Sequence, residues 1–133
     1  YMHASNVTDP EFGNLSPGYD FVSPVSELGP HVAPTGMIFY TGNLFTEYKN
    51  NIFITLHGSW NRSSKVGYKV IRVVLDDDGN VSEKLDFISG WLKNEKVSGR
   101  PAAPFMMKDG SLLISDDKAN LIYRITPKEL ALL

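Results

Sequence analysis

From position 37 to position 125 the chain is a succession of short apolar runs, each closed by a stretch rich in Gly, Asn or Asp. That punctuation leaves room for strands and almost none for helices. Runs at 37–40 and 51–56 come first. Residues 68–75 then alternate, with Tyr68, Val70 and Arg72 on one face and Lys69, Ile71 and Val73 on the other. Asp76-Asp77-Asp78-Gly79-Asn80 is a strong turn signal, because Gly and Asn supply positive φ. Residues 81–87 read as the returning strand. Beyond them, 103–107, 111–115 and 121–125 are strand-like, separated by Lys108-Asp109-Gly110 and by 116–120. One helix candidate remains, 127–133, opened by Thr126-Pro127 and too short to be stable alone.

The class is therefore all-β, in two similar units: about four strands over 37–98 and about three over 99–133. Repeated small antiparallel sheets suggest propeller blades, with a sandwich as the alternative that periodicity does not exclude. Two blades cannot close a ring. Their bare edges and faces call for further blades or for self-association. Residues 1–36 carry Pro10, Gly13, Pro17, Gly18, Pro24, Gly29, Pro30, Pro34 and Gly36, so this segment is expected to be loop, with one short strand near Phe21-Val22. So long a structureless segment is unusual in a compact domain unless it is functional or has lost its surroundings.

Composition narrows the function classes. An apolar share of 42% over 133 residues is enough for a packed core. A net charge of -2 with both signs interspersed gives no basic field for nucleic acid and no polybasic segment for a membrane. No apolar run approaches the roughly 20 residues that span a bilayer. The absence of cysteine excludes disulfides, thiolate metal sites and cysteine nucleophiles. The chain opens on Tyr1 without an initiator Met or a signal-like stretch, which points to a processed product or a piece of something longer. Sequons at Asn6, Asn14, Asn61 and Asn80 would matter only in a eukaryotic secreted protein.

Nucleotide, zinc-protease and serine-hydrolase signatures are missing. His3, His31 and His57 are far apart, and no spacing favours a metal site. Asp76-Asp77-Asp78-Gly79 lacks the other ligands of a calcium loop and reads as a solvated hairpin; Asp116-Asp117 reads as a turn cap or as a neighbour of a site. What stands out is LHGSWNRS, residues 56–63, where a strand ends in His57, Ser59, Trp60, Asn61 and Arg62. Arg100 follows later, held extended by Pro101. Two arginine forks and a histidine at strand ends suit a carboxylate-bearing ligand, and equally suit a surface loop with a turn-stabilising histidine.

The segments LGPHVAPTGMIFYTG (28–42), ITLHGSWNRSSKVGYKVIRV (54–73) and GRPAAPFMMKDGSLLISDDKANLIYRI (99–125) resemble the C-terminal part of the glucose/sorbosone dehydrogenase family, above all its L-sorbosone dehydrogenase-like branch. The opening YMHASNVTDPEFG is similar to that branch too, so the resemblance covers nearly the whole chain. It implies about two blades of a six-bladed β-propeller that binds pyrroloquinoline quinone (PQQ) and oxidises aldoses or related aldehydes, with calcium near the cofactor, in a periplasmic or secreted protein. PQQ carries three carboxylates and an orthoquinone, so its site calls for cationic forks and hydrogen-bond donors.

Residue by residue, the resemblance implies that Arg100 is the first arginine of a cofactor-holding Arg-x-Arg pair, whose second position here is Ala102. His57 falls near a cofactor-contacting lysine, and Arg62 is a candidate for the missing cation. His31, beside Ala33-Pro34, lies close to another cofactor position, and Asn61 shares the His57 loop. Cysteines expected in the branch are replaced by Met2 and Tyr19. The family's base histidine and calcium ligands belong to blades outside this chain, so the segment is not expected to turn over substrate alone. A non-catalytic propeller module that binds a ligand or a protein is the competing reading. The implied partners are a sugar or aldehyde substrate and the remaining blades.

Overall fold

The computed structural model describes residues 2–4, 7–15, 18, 20 and 22–128. Among them are eleven strands, one 3-10 turn at Thr46–Tyr48 and no α-helix. A short antiparallel pair, β1 (Met2–Ala4) with β2 (Val7–Thr8), stands at the start. The first large sheet is antiparallel in the order β3 (Pro34–Phe39), β4 (Ile52–Leu56), β5 (Lys69–Leu75), β6 (Val81–Ile88). A small hairpin, β7 (Leu92–Lys93) with β8 (Lys96–Val97), leads to the second sheet. That sheet runs β9 (Pro101–Met106), β10 (Leu112–Asp116), β11 (Leu121–Ile125), with β10 in the middle.

The turn expected after β5 is built as its residues require. The Asp76 carboxylate accepts from the N–H of Asp78 at 3.1 Å and of Asn80 at 2.7 Å, and Gly79 takes φ +82°. Two expectations need correction, and a third falls mostly outside the described residues. Residues 1–36 are not all loop, because β1 and β2 pair there; strands this short leave no alternation to read. No strand forms at Val22, and Phe21 lies outside the described residues. The 127–133 helix lies mostly outside them as well; Pro127 and Lys128 are in no regular element.

The two sheets pack face to face, β9 lying against β3 and β4. Between them sits the larger core: Tyr40, Phe45, Phe53, Tyr68, Val70 and Trp91 from the first unit, Leu112 and Ile114 from the second. Tyr40 is fully buried, and its hydroxyl donates to the Gly110 carbonyl at 2.8 Å while accepting the Phe45 N–H at 3.0 Å, which ties a loop of the first unit to a turn of the second. The approach of β3 to β9 is close enough that a Cβ on Gly36 would stand 2.7 Å from the Pro104 ring. Thr55 seals the same seam, its buried hydroxyl 2.8 Å from the Ala102 carbonyl and 3.1 Å from that of Gly36.

The far face of the first sheet is also apolar. Leu56, Ile71 and Val73 are buried there under Leu28 and Val32, and next to them Ile52, Ile54, Leu75 and Val81 line a groove of about 490 Å³. On the outer face of the second sheet Phe105 and Ile122 are exposed. β5 is thus packed on both sides, as an inner strand between two layers would be.

Candidate functional site

The His57 loop is rigid because backbone bonds carry it past the end of β4. The N–H of His57 donates to the Ala33 carbonyl and that of Gly58 to Val32, both at 2.9 Å. Ser59 and Val66 close the loop: the Ser59 N–H reaches the Val66 carbonyl at 2.9 Å, and the Ser59 hydroxyl accepts the Val66 N–H at 3.1 Å. Lys65 ties the loop to the β7–β8 hairpin, its N–H donating to the Glu95 carboxylate at 3.0 Å. Gly58 has φ +98°, and a Cβ there would lie 2.6 Å from the Tyr68 ring, so no other residue fits without displacement. Tyr68 is buried, itself at φ +57°, and its hydroxyl donates to the Ser59 carbonyl.

Arg100 enters from the link between β8 and β9. Its N–H donates to the Asp116 carboxylate at 2.8 Å. Asp116, at the end of β10, also accepts the N–H groups of Ala119 at 2.8 Å and Lys118 at 3.1 Å and the Tyr123 hydroxyl at 3.1 Å. Burial acts to raise the Asp116 pKa, but these donors favour the carboxylate more, and the balance leaves it below the ordinary value.

The Arg100 guanidinium lies 5.1 Å from the centroid of the Tyr68 ring. Nη2 donates to the Ser59 carbonyl at 2.8 Å and to the Tyr68 hydroxyl at 3.0 Å; Nη1 stands 3.3 Å from His57 Nδ1. The other ring nitrogen, Nε2, is 2.9 Å and 3.1 Å from the two carboxylate oxygens of Asp117. Three of the five guanidinium N–H groups are thereby placed. Nε–H and one N–H of Nη1 have no partner among the described residues.

The structure brings His57 and Arg100 together. Asn61 and Arg62 are exposed on the same loop and make no side-chain hydrogen bond or ion pair among the described residues. His31 is exposed at φ +63°, one residue before the Val32 carbonyl that Gly58 uses. Trp60, the large aromatic side chain of this loop, is 86% exposed, so its ring does not anchor the loop. The anchor is Tyr68, whose buried ring packs directly under Gly58. In the sequence Tyr68 reads only as a strand-face residue, and Asp117 as a turn cap or a neighbour of a site; the structure makes it such a neighbour. The one signal for Asp117 was its place in an Asp-Asp pair directly after a strand. Among the described residues no group of three or more His, Asp or Glu is arranged to hold a metal.

A family model described as TrAA12-like matches residues 14–128. An uncharacterised protein of Borreliella burgdorferi is 42% identical over 129 residues, which are 94% of this chain and 34% of that protein. The pyrroloquinoline quinone-dependent pyranose dehydrogenase of Coprinopsis cinerea is 46% identical over 52 residues, 39% of this chain and 6% of that one. Among solved structures, the holo form of the PQQ domain of the Coprinopsis cinerea pyranose dehydrogenase superposes with TM-score 0.59 at 27% identity, covering 74% of this chain and 27% of that domain. A carbohydrate-active enzyme family AA12 protein of Trichoderma reesei shares the fold, with TM-score 0.56 at 21% identity over 69% of this chain and 24% of its own. This chain spans well under half the length of each relative. The two sheets are accordingly about two blades of a six-bladed β-propeller.

Proposed function

Because the chain belongs to the TrAA12-like family, we propose that it is the C-terminal part of a PQQ-dependent sugar dehydrogenase of the sorbosone-like kind, and that its role is to present cofactor-contacting loops and complete the propeller. The observation that carries this reading is the state of Arg100: its guanidinium is braced through both N–H groups of Nη2 and one of Nη1, which leaves Nε–H and the second Nη1–H, on different edges, to meet acceptor atoms of a ligand. The donor set suits a planar polyanion. Arg100 offers one N–H group to each of two acceptor atoms, and Arg62 adds a cation on the His57 loop that is unpaired among the described residues. When bound, PQQ would supply the quinone that accepts the electrons of sugar oxidation. The residues of this chain would bind and orient it; the base and any calcium ligands would come from other blades of the whole protein.

PQQ titration of the whole protein tests this. Arg100→Ala and Arg62→Ala should each weaken binding by about tenfold or more, the weight of a charge-assisted hydrogen bond. Arg100→Lys should recover part of the loss, since a point charge does not reproduce the fork. Arg72→Ala is the control: Arg72 bonds Asn51 at 2.7 Å and lies over the Tyr48 ring, away from the cluster. If the Arg100 and Arg62 variants match that control, the reading fails. A non-catalytic propeller module then becomes the better one, which the alanine at position 102 and the loss of cysteine at positions 2 and 19 favour.

A further inference from the structure

We infer that Asp117 is a positioning residue of this site: it holds the His57 ring with its proton on Nε2, leaving Nδ1 to accept from Arg100 and fix the guanidinium. The inference rests on the PQQ reading for its functional consequence, but its geometry stands without it. Three forms of the imidazole are available, and one satisfies both neighbours. With the proton on Nε2, the ring donates to the Asp117 carboxylate at 2.9 Å and presents the Nδ1 lone pair to the Arg100 Nη1–H at 3.3 Å. A proton on Nδ1 alone would set donor against donor at Arg100 and lone pair against carboxylate at Asp117. A doubly protonated ring would suit Asp117 and still oppose N–H to N–H at Nη1.

The relay crosses the molecule. Asp117 lies in the turn between β10 and β11, His57 follows β4, and Arg100 precedes β9. A carboxylate on the second sheet therefore orients an imidazole on the first, which in turn orients the guanidinium between them. The Asp117 side chain is 63% exposed and that of His57 19%. A hydrogen bond so open to water adds little to stability. Its removal should alter orientation while leaving the fold intact, which separates a positioning role from a structural one.

The test uses the whole protein labelled with 15N in its histidine side chains. Long-range proton–nitrogen correlation spectra distinguish protonated from bare ring nitrogens, and His57→Gln identifies the His57 signals. The native protein should show one protonated nitrogen, Nε2, and one bare one, Nδ1. Asp117→Ala should give averaged signals from exchanging forms. Asp117→Asn, which keeps a carbonyl acceptor, should retain most of the native pattern. Lys118→Ala should change nothing. In PQQ titrations Asp117→Ala should bind roughly tenfold more weakly at an unchanged melting temperature, as expected when a ligand's supporting partner is lost, and Asp117→Asn should fall between. A native His57 pattern in Asp117→Ala overturns the inference. So does unchanged affinity in a protein that binds PQQ, or an affinity loss that merely tracks lost stability. Should the native protein fail to bind PQQ, the proposed function falls, and the His57 spectra alone decide the role of Asp117.

Discussion

Tyr68→Phe removes a single oxygen from the centre of the cluster. The ring volume stays, and so do the contact under Gly58 and the guanidinium over the ring face. The hydroxyl's donation to the Ser59 carbonyl is lost, as is its acceptance of Arg100 Nη2 at 3.0 Å. The first is a neutral hydrogen bond, about 1 kcal/mol net, and the second a charge-assisted one, about 1.5–3 kcal/mol. The Ser59 carbonyl is not orphaned, because Arg100 still donates to it at 2.8 Å, so no further desolvation penalty falls on that oxygen. The expected cost is therefore about 2.5–4 kcal/mol, and at a urea slope of roughly 2 kcal/mol/M the unfolding midpoint should drop by about 1.3–2 M without a change in slope. Combining Tyr68→Phe with Arg100→Ala in a double-mutant cycle isolates the shared bond, with a coupling of about 1.5 kcal/mol or more. A midpoint within error of the native one, or a coupling near zero, would refute the claim that the hydroxyl braces the guanidinium.

Thr55→Val keeps the shape and removes the hydroxyl that seals β4 to β9, and should cost about 1–2 kcal/mol in urea unfolding; no loss would mean the seam is held by packing alone. Gly58→Ala imposes both a positive φ and a 2.6 Å clash with the Tyr68 ring, and should destabilise by about 3 kcal/mol or more or prevent folding; a native-like melting curve would contradict the loop geometry. Asp109 is held at about 2, against an ordinary 3.8, by the Ser111 hydroxyl first, then the Ser111 N–H and Arg124. A depressed carboxylate stabilises fully above its unfolded pKa and loses that contribution as pH falls through the folded one. Urea midpoints should therefore decline from about pH 4 toward pH 2, and Asp109→Asn should flatten part of that decline; an identical slope in the variant would refute the linkage. Expressed alone, the chain should self-associate at concentrations on the order of tens of micromolar, through the Ile52–Val81 groove and the Phe105–Ile122 face; a monomer in sedimentation at that concentration would count against open faces.

The strands were legible where alternation and turn chemistry agreed, as in β5 and its return, β6, around Gly79. Where the sequence misled, the reasons are specific. Strand β3 starts at Pro34 and β9 at Pro101, with Pro104 inside it. Prolines in a run argue against a strand, yet both strands lie at sheet edges, where a missing N–H forfeits no ladder bond. The β7–β8 hairpin turns through Asn94 and Glu95, both at positive φ, without the glycine that would have marked it, and its strands are too short for a period to show. Within the site, His57 and Arg100 stood out because unusual chemistry sat at strand ends. Tyr68 and Asp117 did not, because their roles come from partners 32 and 60 residues away in the chain.

Arg62 and Arg100 satisfied the same sequence criterion, and the fold puts them in opposite states. Arg100 is ordered in advance by Ser59, Tyr68 and His57, so a ligand meeting its two remaining N–H groups finds them already aimed. Arg62 is exposed and untethered among the described residues. Fixing such a side chain on binding costs about 1–2 kcal/mol of rotamer freedom, which offsets much of one charge-assisted hydrogen bond. For the same contact chemistry Arg100 should therefore contribute more to affinity than Arg62. The ranking is open to contradiction, since an Arg62→Ala loss larger than that of Arg100→Ala would mean that the exposed loop folds over its ligand and that the ordered half of the cluster is framework only.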